Sequence, residues 1–202
     1  MKQHVVLVPG LWVPAAAMLF LAGRLGAAGY ATHVFAYHGR SPLEPNVERL
    51  ARFASAIPRP HFVGHSLGGL LILETLNRHP GLAVSSALLL GSPVRGCFAG
   101  RRFGAARWGA WMMGASAALW NERRASWQRS EPLGVIAGTA PLGLGRAFGR
   151  LPGQNDGVVC VTETEVEGMA CRTLVPLGHS ALVVSGRVAR LACGFLENGR
   201  FE

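Results

Sequence analysis

His61-Phe62-Val63-Gly64-His65-Ser66-Leu67-Gly68-Gly69-Leu70-Leu71-Ile72-Leu73 joins two kinds of segment through a glycine-rich turn. Before the turn stands a short apolar, partly β-branched run, too short for a helix and suited to a strand buried on both faces. After it, Leu70, Leu71, Leu73 and Leu76 continue as a helix that ends at His79-Pro80-Gly81. The stretch therefore reads as strand, tight turn, helix.

The same unit recurs on both sides. Val5 to Val8 is a β-branched run closed by Pro9-Gly10, and an alanine- and leucine-rich helix from about 15 to 28 comes next, stopping at Gly29. Thr32 to Tyr37 reads as a second strand. Pro45 then opens a helix with Val47, Leu50, Ala54 and Ile57 on one face. Downstream, Ala87 to Leu90 is a buried strand stopped by Gly91-Ser92-Pro93, and Gly134 to Gly138 and Thr173 to Pro176 are two more. Val184, Val188, Leu191 and Phe195 mark one face of a closing helix. Strands alternating with helices predict an α/β domain with a mostly parallel central sheet and helices on both faces.

Residues 94–131 break the rhythm. They are rich in Arg, Gly, Trp and Met, and are expected to form a helical insertion capping one edge of the sheet. Trp108, Met112, Ala115 and Leu119 fall at helical spacing there, and Trp111, Met113, Trp120 and Trp127 widen the apolar surface. Tryptophan and methionine at helical spacing are more often core than lid.

The chain has 202 residues, half of them apolar and 15% charged, so a single domain over 1–202 is expected and disordered or coiled-coil classes are excluded. No apolar run reaches the ~18 residues of a spanning helix. The formal charge of +9 is almost wholly arginine, since Lys2 is the only lysine. That balance points toward anionic partners, with an anionic membrane surface meeting the arginine-rich insertion. No nucleic-acid-binding module is recognisable, so nucleic acid is not an expected partner. The four cysteines show no zinc-like spacing and suggest a reduced, cytoplasmic chain, with peripheral membrane association open. Cys160 and Cys171 have a spacing compatible with a cross-hairpin pair. The apolar N terminus is interrupted by Val8-Pro9-Gly10 and reads as part of the fold rather than as a cleaved leader.

Gly64-x-Ser66-x-Gly68 sits where a nucleophile elbow needs it, between a strand and a helix. A sharp turn lifts the hydroxyl clear of the sheet, and glycines let backbone and helix approach closely. Ser66 is thus the candidate nucleophile. A serine hydroxyl needs a histidine to take its proton and a carboxylate to orient that histidine. Elbow enzymes keep the order nucleophile, acid, histidine. Asp156 is the only aspartate, and His179 the only histidine in the second half of the chain. Glu163, Glu165 and Glu167 alternate along a strand-like segment and are read as a solvated face, each a substitute for Asp156. Ser180 is expected to cap the closing helix. Oxyanion donors are expected from the amides of Leu67 and Leu11, with Trp12 as a lesser alternative. Substrate contacts are expected from Trp12, His65 and Ser92 near the strand ends and from Trp108, Trp111 and Met112 in the insertion, although His65 also suits a packing role.

Pro9-Gly10-Leu11, Gly64 to Gly69, Gln154 to Val159 and Leu177 to Ser180 together resemble the α/β-hydrolase superfamily, within it the small bacterial lipases and esterases. The resemblance spans about residues 4 to 196. It implies a minimal α/β-hydrolase fold and a serine hydrolase of carboxylic esters with Ser66, Asp156 and His179 as triad. Many relatives carry His-Gly where this chain has Pro9-Gly10, and the family's first two strands are absent. Some larger lipases hold calcium through further aspartates. None exists here, so neither metal nor cofactor is expected. A thioesterase or acyltransferase shares these parts, and a non-catalytic lipid- or partner-binding scaffold is the reading from another class.

Overall fold

The computed structural model describes residues 2–13, 15–121, 124–142 and 150–201. Among the described residues six strands form one sheet: β1 His4–Val8, β2 Ala31–Val34, β3 His61–His65, β4 Ser86–Leu90, β5 Leu133–Gly138 and β6 Cys171–Val175. All pairings are parallel, in the order β2-β1-β3-β4-β5-β6. The helices are α1 Leu19–Ala27, α2 Leu43–Ser55, α3 Leu67–Arg78, α4 Phe98–Ala105, α5 Arg107–Met113 and α6 Gly186–Asn198.

Strand alternation sorts the core into two layers. Val6, Val8, Phe62, Leu89 and Val135 face α2 and α3, which contribute Val47, Leu50, Leu71 and Leu76. Val5, Leu7, Val63, Leu88 and Ile136 face the other way, against Leu21 and Leu25 of α1 and Val188 and Phe195 of α6. Helices cover both faces, so the central strands β3 and β4 are buried along their whole length and mostly apolar, with His61, His65 and Ser86 as the polar positions. The chain runs from β1 outward to β2, then crosses back to β3 on the other side of β1. The topology therefore reverses between β1 and β3, and the loops leaving these strands open a crevice at the carboxyl edge of the sheet.

Several local expectations are corrected. β2 stops at Val34, short of Tyr37, and the Phe35 ring packs against Phe53 and Tyr37 with centroids 5.3 and 6.0 Å away. Glu163 to Glu167 do not form a strand with a solvated face. Val161–Thr164 is a 3-10 turn, and the Glu163 carboxylate turns inward to accept the amides of Cys160 at 2.7 Å and Phe98 at 2.5 Å. Glu165 bridges Arg95 and Arg172, each at 2.8 Å. Ser180 does not cap the closing helix. It lies within the 3-10 turn His179–Val184, and Ser185 caps α6 by accepting the Val188 amide at 3.4 Å. All four cysteines are free thiols.

Residues 94–131 are divided between core and surface. Their helical run is interrupted at Ala106, which is extended, and at Gly114, whose φ is +59°. Phe103, Met113, Trp120 and Trp127 turn inward and join the core beside α3. Trp108, Trp111 and Met112 turn outward. Among the described residues no helix is long and apolar enough to cross a membrane.

Candidate active site

Ser66 joins β3 to α3 with φ +53° and ψ −121°, a conformation costly for any residue with a Cβ. The surrounding glycines explain how it is held. A Cβ at Gly64 would stand 2.6 Å from the Gly69 Cα, and one at Gly68 would stand 2.2 Å from the Val8 carbonyl oxygen. One at Gly69 would meet Ser92 Oγ at 2.0 Å. The start of α3 thus lies directly on the ends of β1 and β4. The Ser66 amide donates to the Leu90 carbonyl at 2.9 Å, pinning the turn to β4. Among the described residues the Ser66 hydroxyl makes no hydrogen bond.

Asp156 and His179 come together although 23 residues separate them. Asp156 lies in the loop after β5, and His179 comes just after β6. His179 Nδ1 and Asp156 Oδ2 are 2.7 Å apart, and the His179 amide donates to the Asp156 carbonyl at 2.9 Å. Asp156 Oδ1 accepts the amides of Val158 at 3.0 Å and Val159 at 2.7 Å. The carboxylate is buried, and its oxygens are occupied by donors that fix its direction. A carboxylate can only accept, so His179 Nδ1 carries the hydrogen and Nε2 is left as the acceptor.

The pair sits beside the elbow. A Cβ at Gly91, just past β4, would stand 3.0 Å from Asp156 Oδ2 and 3.3 Å from His179 Nδ1. The rings of His65 and His179 lie 4.7 Å apart. From the opposite side, a Cβ at Gly10 would stand 2.9 Å from Ser66 Cβ. The ends of β1, β3, β4, β5 and β6 therefore contribute to one site.

Leu67 is the first residue of α3, so its amide is one that a helix start leaves without an intrahelical partner. Leu11 succeeds Gly10 at the end of β1. Both side chains approach Gly39, where a Cβ would stand 3.0 Å from Leu11 Cδ1 and 3.4 Å from Leu67 Cδ2. One contributor escaped the sequence reading. Tyr37 donates its hydroxyl to the Pro9 carbonyl at 2.9 Å, tying the turn after β1 to the loop after β2. Burial raises the Tyr37 phenol well above its usual pKa, so it remains a donor. Nothing in the sequence distinguished it from a core aromatic.

The expected substrate-contacting residues divide sharply. His65 and Ser92 are fully buried, which removes them from any open pocket wall. Ser92 packs on Gly69, and His65 lies beneath the His179 loop. Trp12, Trp108, Trp111 and Met112 are exposed by 53, 56, 72 and 37%. They form a connected surface: Trp12 Nε1 donates to the Met112 carbonyl at 3.3 Å, and both Trp12 and Trp108 pack edge-on against Phe103. Arg40 stacks over Trp111 and donates to its carbonyl at 2.7 Å. Helices α4 and α5 are thereby attached to the loops after β1 and β2. Among the described residues no group of three His, Cys, Asp or Glu side chains is placed to hold a metal.

A family model described as alpha/beta hydrolase family matches residues 5–162. The chain belongs to that family. As an alpha/beta hydrolase it has several structural neighbours. The mature lipase BlEst2 of Bacillus licheniformis superposes with a TM-score of 0.79 at 17% identity, over 96% of this chain and 92% of that one. The pyrethroid hydrolase PytH superposes at 0.72 and 13% identity, over 98 and 99% of the two chains. A metagenomic carboxyl esterase superposes at 0.70 and 18% identity, over 98 and 76%. None of the curated proteins matches this alpha/beta hydrolase in sequence. At these identities the neighbours establish the fold.

Proposed function

We propose that this alpha/beta hydrolase cleaves carboxylic esters through an acyl-enzyme on Ser66. The observation that carries the reading is the 2.7 Å His179–Asp156 pair, held at the same sheet edge as a serine in a strained backbone conformation. Ser66 Oγ attacks the ester carbonyl while His179 Nε2 takes its proton. The resulting imidazolium is stabilised by Asp156, and the Leu67 and Leu11 amides receive the oxyanion. His179 then gives the proton to the leaving alcohol. Water, deprotonated by His179, attacks the acyl carbon and releases the acid and free Ser66.

A fluorophosphonate ester tests this directly. The wild-type protein is expected to label once, at Ser66, and to lose hydrolysis of 4-nitrophenyl esters in parallel, whereas Ser66→Ala does neither. Absence of labelling on folded wild-type protein would return the chain to the non-catalytic scaffold reading. Thioester hydrolysis and acyl transfer use the same groups, and paired chain-length series of oxygen esters and thioesters separate them.

The substrate class we favour is a lipid-like ester met at an anionic membrane surface. Three exposed tryptophans and a methionine beside the insertion, with the exposed Arg40 and Arg107 among them, provide the apolar face and positive charge such a surface attracts.

A further inference from the structure

The fully buried imidazole of His65 is not used by the proposed chemistry of ester cleavage, and its surroundings are unusual. Its Nε2 stands 3.1 Å from the backbone carbonyl of His179, while its Nδ1 is buried with no hydrogen-bond partner. Burial holds the ring neutral, with its pKa pushed down to about 3. A carbonyl only accepts, so the neutral ring carries its hydrogen on Nε2 and leaves Nδ1 as a bare lone pair. That lone pair faces the turn after β1, where a Cβ on Gly10 would stand 3.1 Å away. The ring also lies against the ring of His179, at 4.7 Å and an interplanar angle of 43°.

A buried ring with an orphaned nitrogen is a poor choice for packing alone, because a phenyl group would fill similar space without stranding an acceptor. The useful part of this side chain is the Nε2–H. Resting on the proposal that Ser66 is the nucleophile and His179 its base, we infer that His65 is a positioning residue for His179. Its N–H holds the His179 main chain, its ring supports one side of the His179 ring, and its opposite edge abuts the oxyanion turn. One rigid side chain thus spaces the base loop from the turn that receives the oxyanion. Because it stays neutral, it places no charge beside the imidazolium that forms during acyl transfer.

Two isosteric amides separate this role from filling space. A glutamine amide nitrogen reaches the position of Nε2, whereas an asparagine amide reaches only that of Nδ1. With 4-nitrophenyl butyrate, His65→Gln is expected to keep kcat within about threefold of wild type, by preserving the donor. His65→Asn and His65→Phe are expected to lose about 10- to 100-fold in kcat with KM within twofold, the pattern of a displaced general base. Thermal melts identify any variant that fails to fold. Equal activity of folded Gln and Asn variants, or a folded Phe variant as active as wild type, overturns the inference. Nitrogen-15 spectra of histidine-labelled wild-type protein give a readout independent of turnover and of mutation. His65 is expected to show a protonated Nε2 and a bare Nδ1 from pH 8 to pH 5, and the opposite tautomer or a titration in that range overturns it. If wild-type protein neither labels with fluorophosphonate nor hydrolyses esters, the proposed function has failed, whereas a failed tautomer or amide comparison in an active enzyme rejects only the role of His65.

Discussion

Replacing Asp156 by Asn is the most informative single perturbation, because the geometry dictates which contacts survive. Asp156 Oδ1 accepts the Val158 and Val159 amides, and Oδ2 faces His179 Nδ1 at 2.7 Å. An asparagine keeps its oxygen on the two amides and presents its NH2 to His179. That group donates, so Nδ1 must become an acceptor and the hydrogen moves to Nε2. The nitrogen that should take the Ser66 proton is then already protonated. A Ser-His-Asp triad of another fold loses about 10⁴ in kcat through this change of tautomer, or roughly 5.5 kcal/mol of transition-state stabilisation. Stability should change little, because only the charge assistance of the bonds is lost. About 1–2 kcal/mol is expected, or a few degrees in Tm for a chain of this size. The assay is kcat/KM for a 4-nitrophenyl ester alongside thermal melts, with Glu163→Gln as comparison. Glu163 is committed to the Phe98 and Cys160 amides and cannot stand in. Folded Asp156→Asn protein retaining more than a tenth of wild-type kcat/KM would refute the reasoning.

Three further outcomes are expected from the same structure. Ser66→Gly should melt about 2–4 °C above Ser66→Ala, both inactive, because glycine relieves roughly 1–3 kcal/mol of backbone strain and returns part of it as conformational entropy; equal melting temperatures would mean that φ +53° is not strained here. His61 and His65 have folded-state pKa values lowered by burial to about 4 and about 3, below an unfolded value of about 6.5. The unfolded chain therefore binds more protons below that value. Their contribution to stability is full above pH ~6.5 and lost at about 2–3 kcal/mol per pH unit near pH 5, which denaturant melts over pH 5–8 will show and a flat profile would contradict. Finally, Trp120 and Trp127 are buried while Trp12, Trp108 and Trp111 are exposed, so tryptophan emission reports on the exposed surface. Anionic vesicles at low salt should blue-shift it, and an equal shift with zwitterionic vesicles would remove the arginines from the account.

Much of the architecture was legible because it rests on local rules. Short apolar runs closed by glycine and proline located all six strands, and the parallel arrangement came from the helices between them. The elbow was legible for the same reason: a strand, a Gly-x-Ser-x-Gly turn and a helix are neighbours in the chain. Less legible was which face of a segment turns inward. Within residues 94–131, spacing alone made a stripe of Trp108, Met112, Ala115 and Leu119, which suits a core or a cap, but periodicity does not say which side of it faces the sheet. Met113 and Trp120 become core while Trp108 and Met112 remain outside. The alternating glutamates misled similarly, because Glu163 satisfies two amides in a turn rather than facing water from a strand.

The sequence by itself determined the layered α/β order, narrowed the candidate base to one late histidine, and left the lone aspartate as the first candidate acid with three glutamates as substitutes. Only the tertiary structure decided that Asp156 and His179 stand 2.7 Å apart, that Tyr37 reaches the Pro9 carbonyl at 2.9 Å, and that His65 is sealed beneath the His179 loop. Periodicity reports which residues share a face of one element. Distances between loop ends depend instead on strand order and register across the whole sheet, which arise from many non-local contacts acting together.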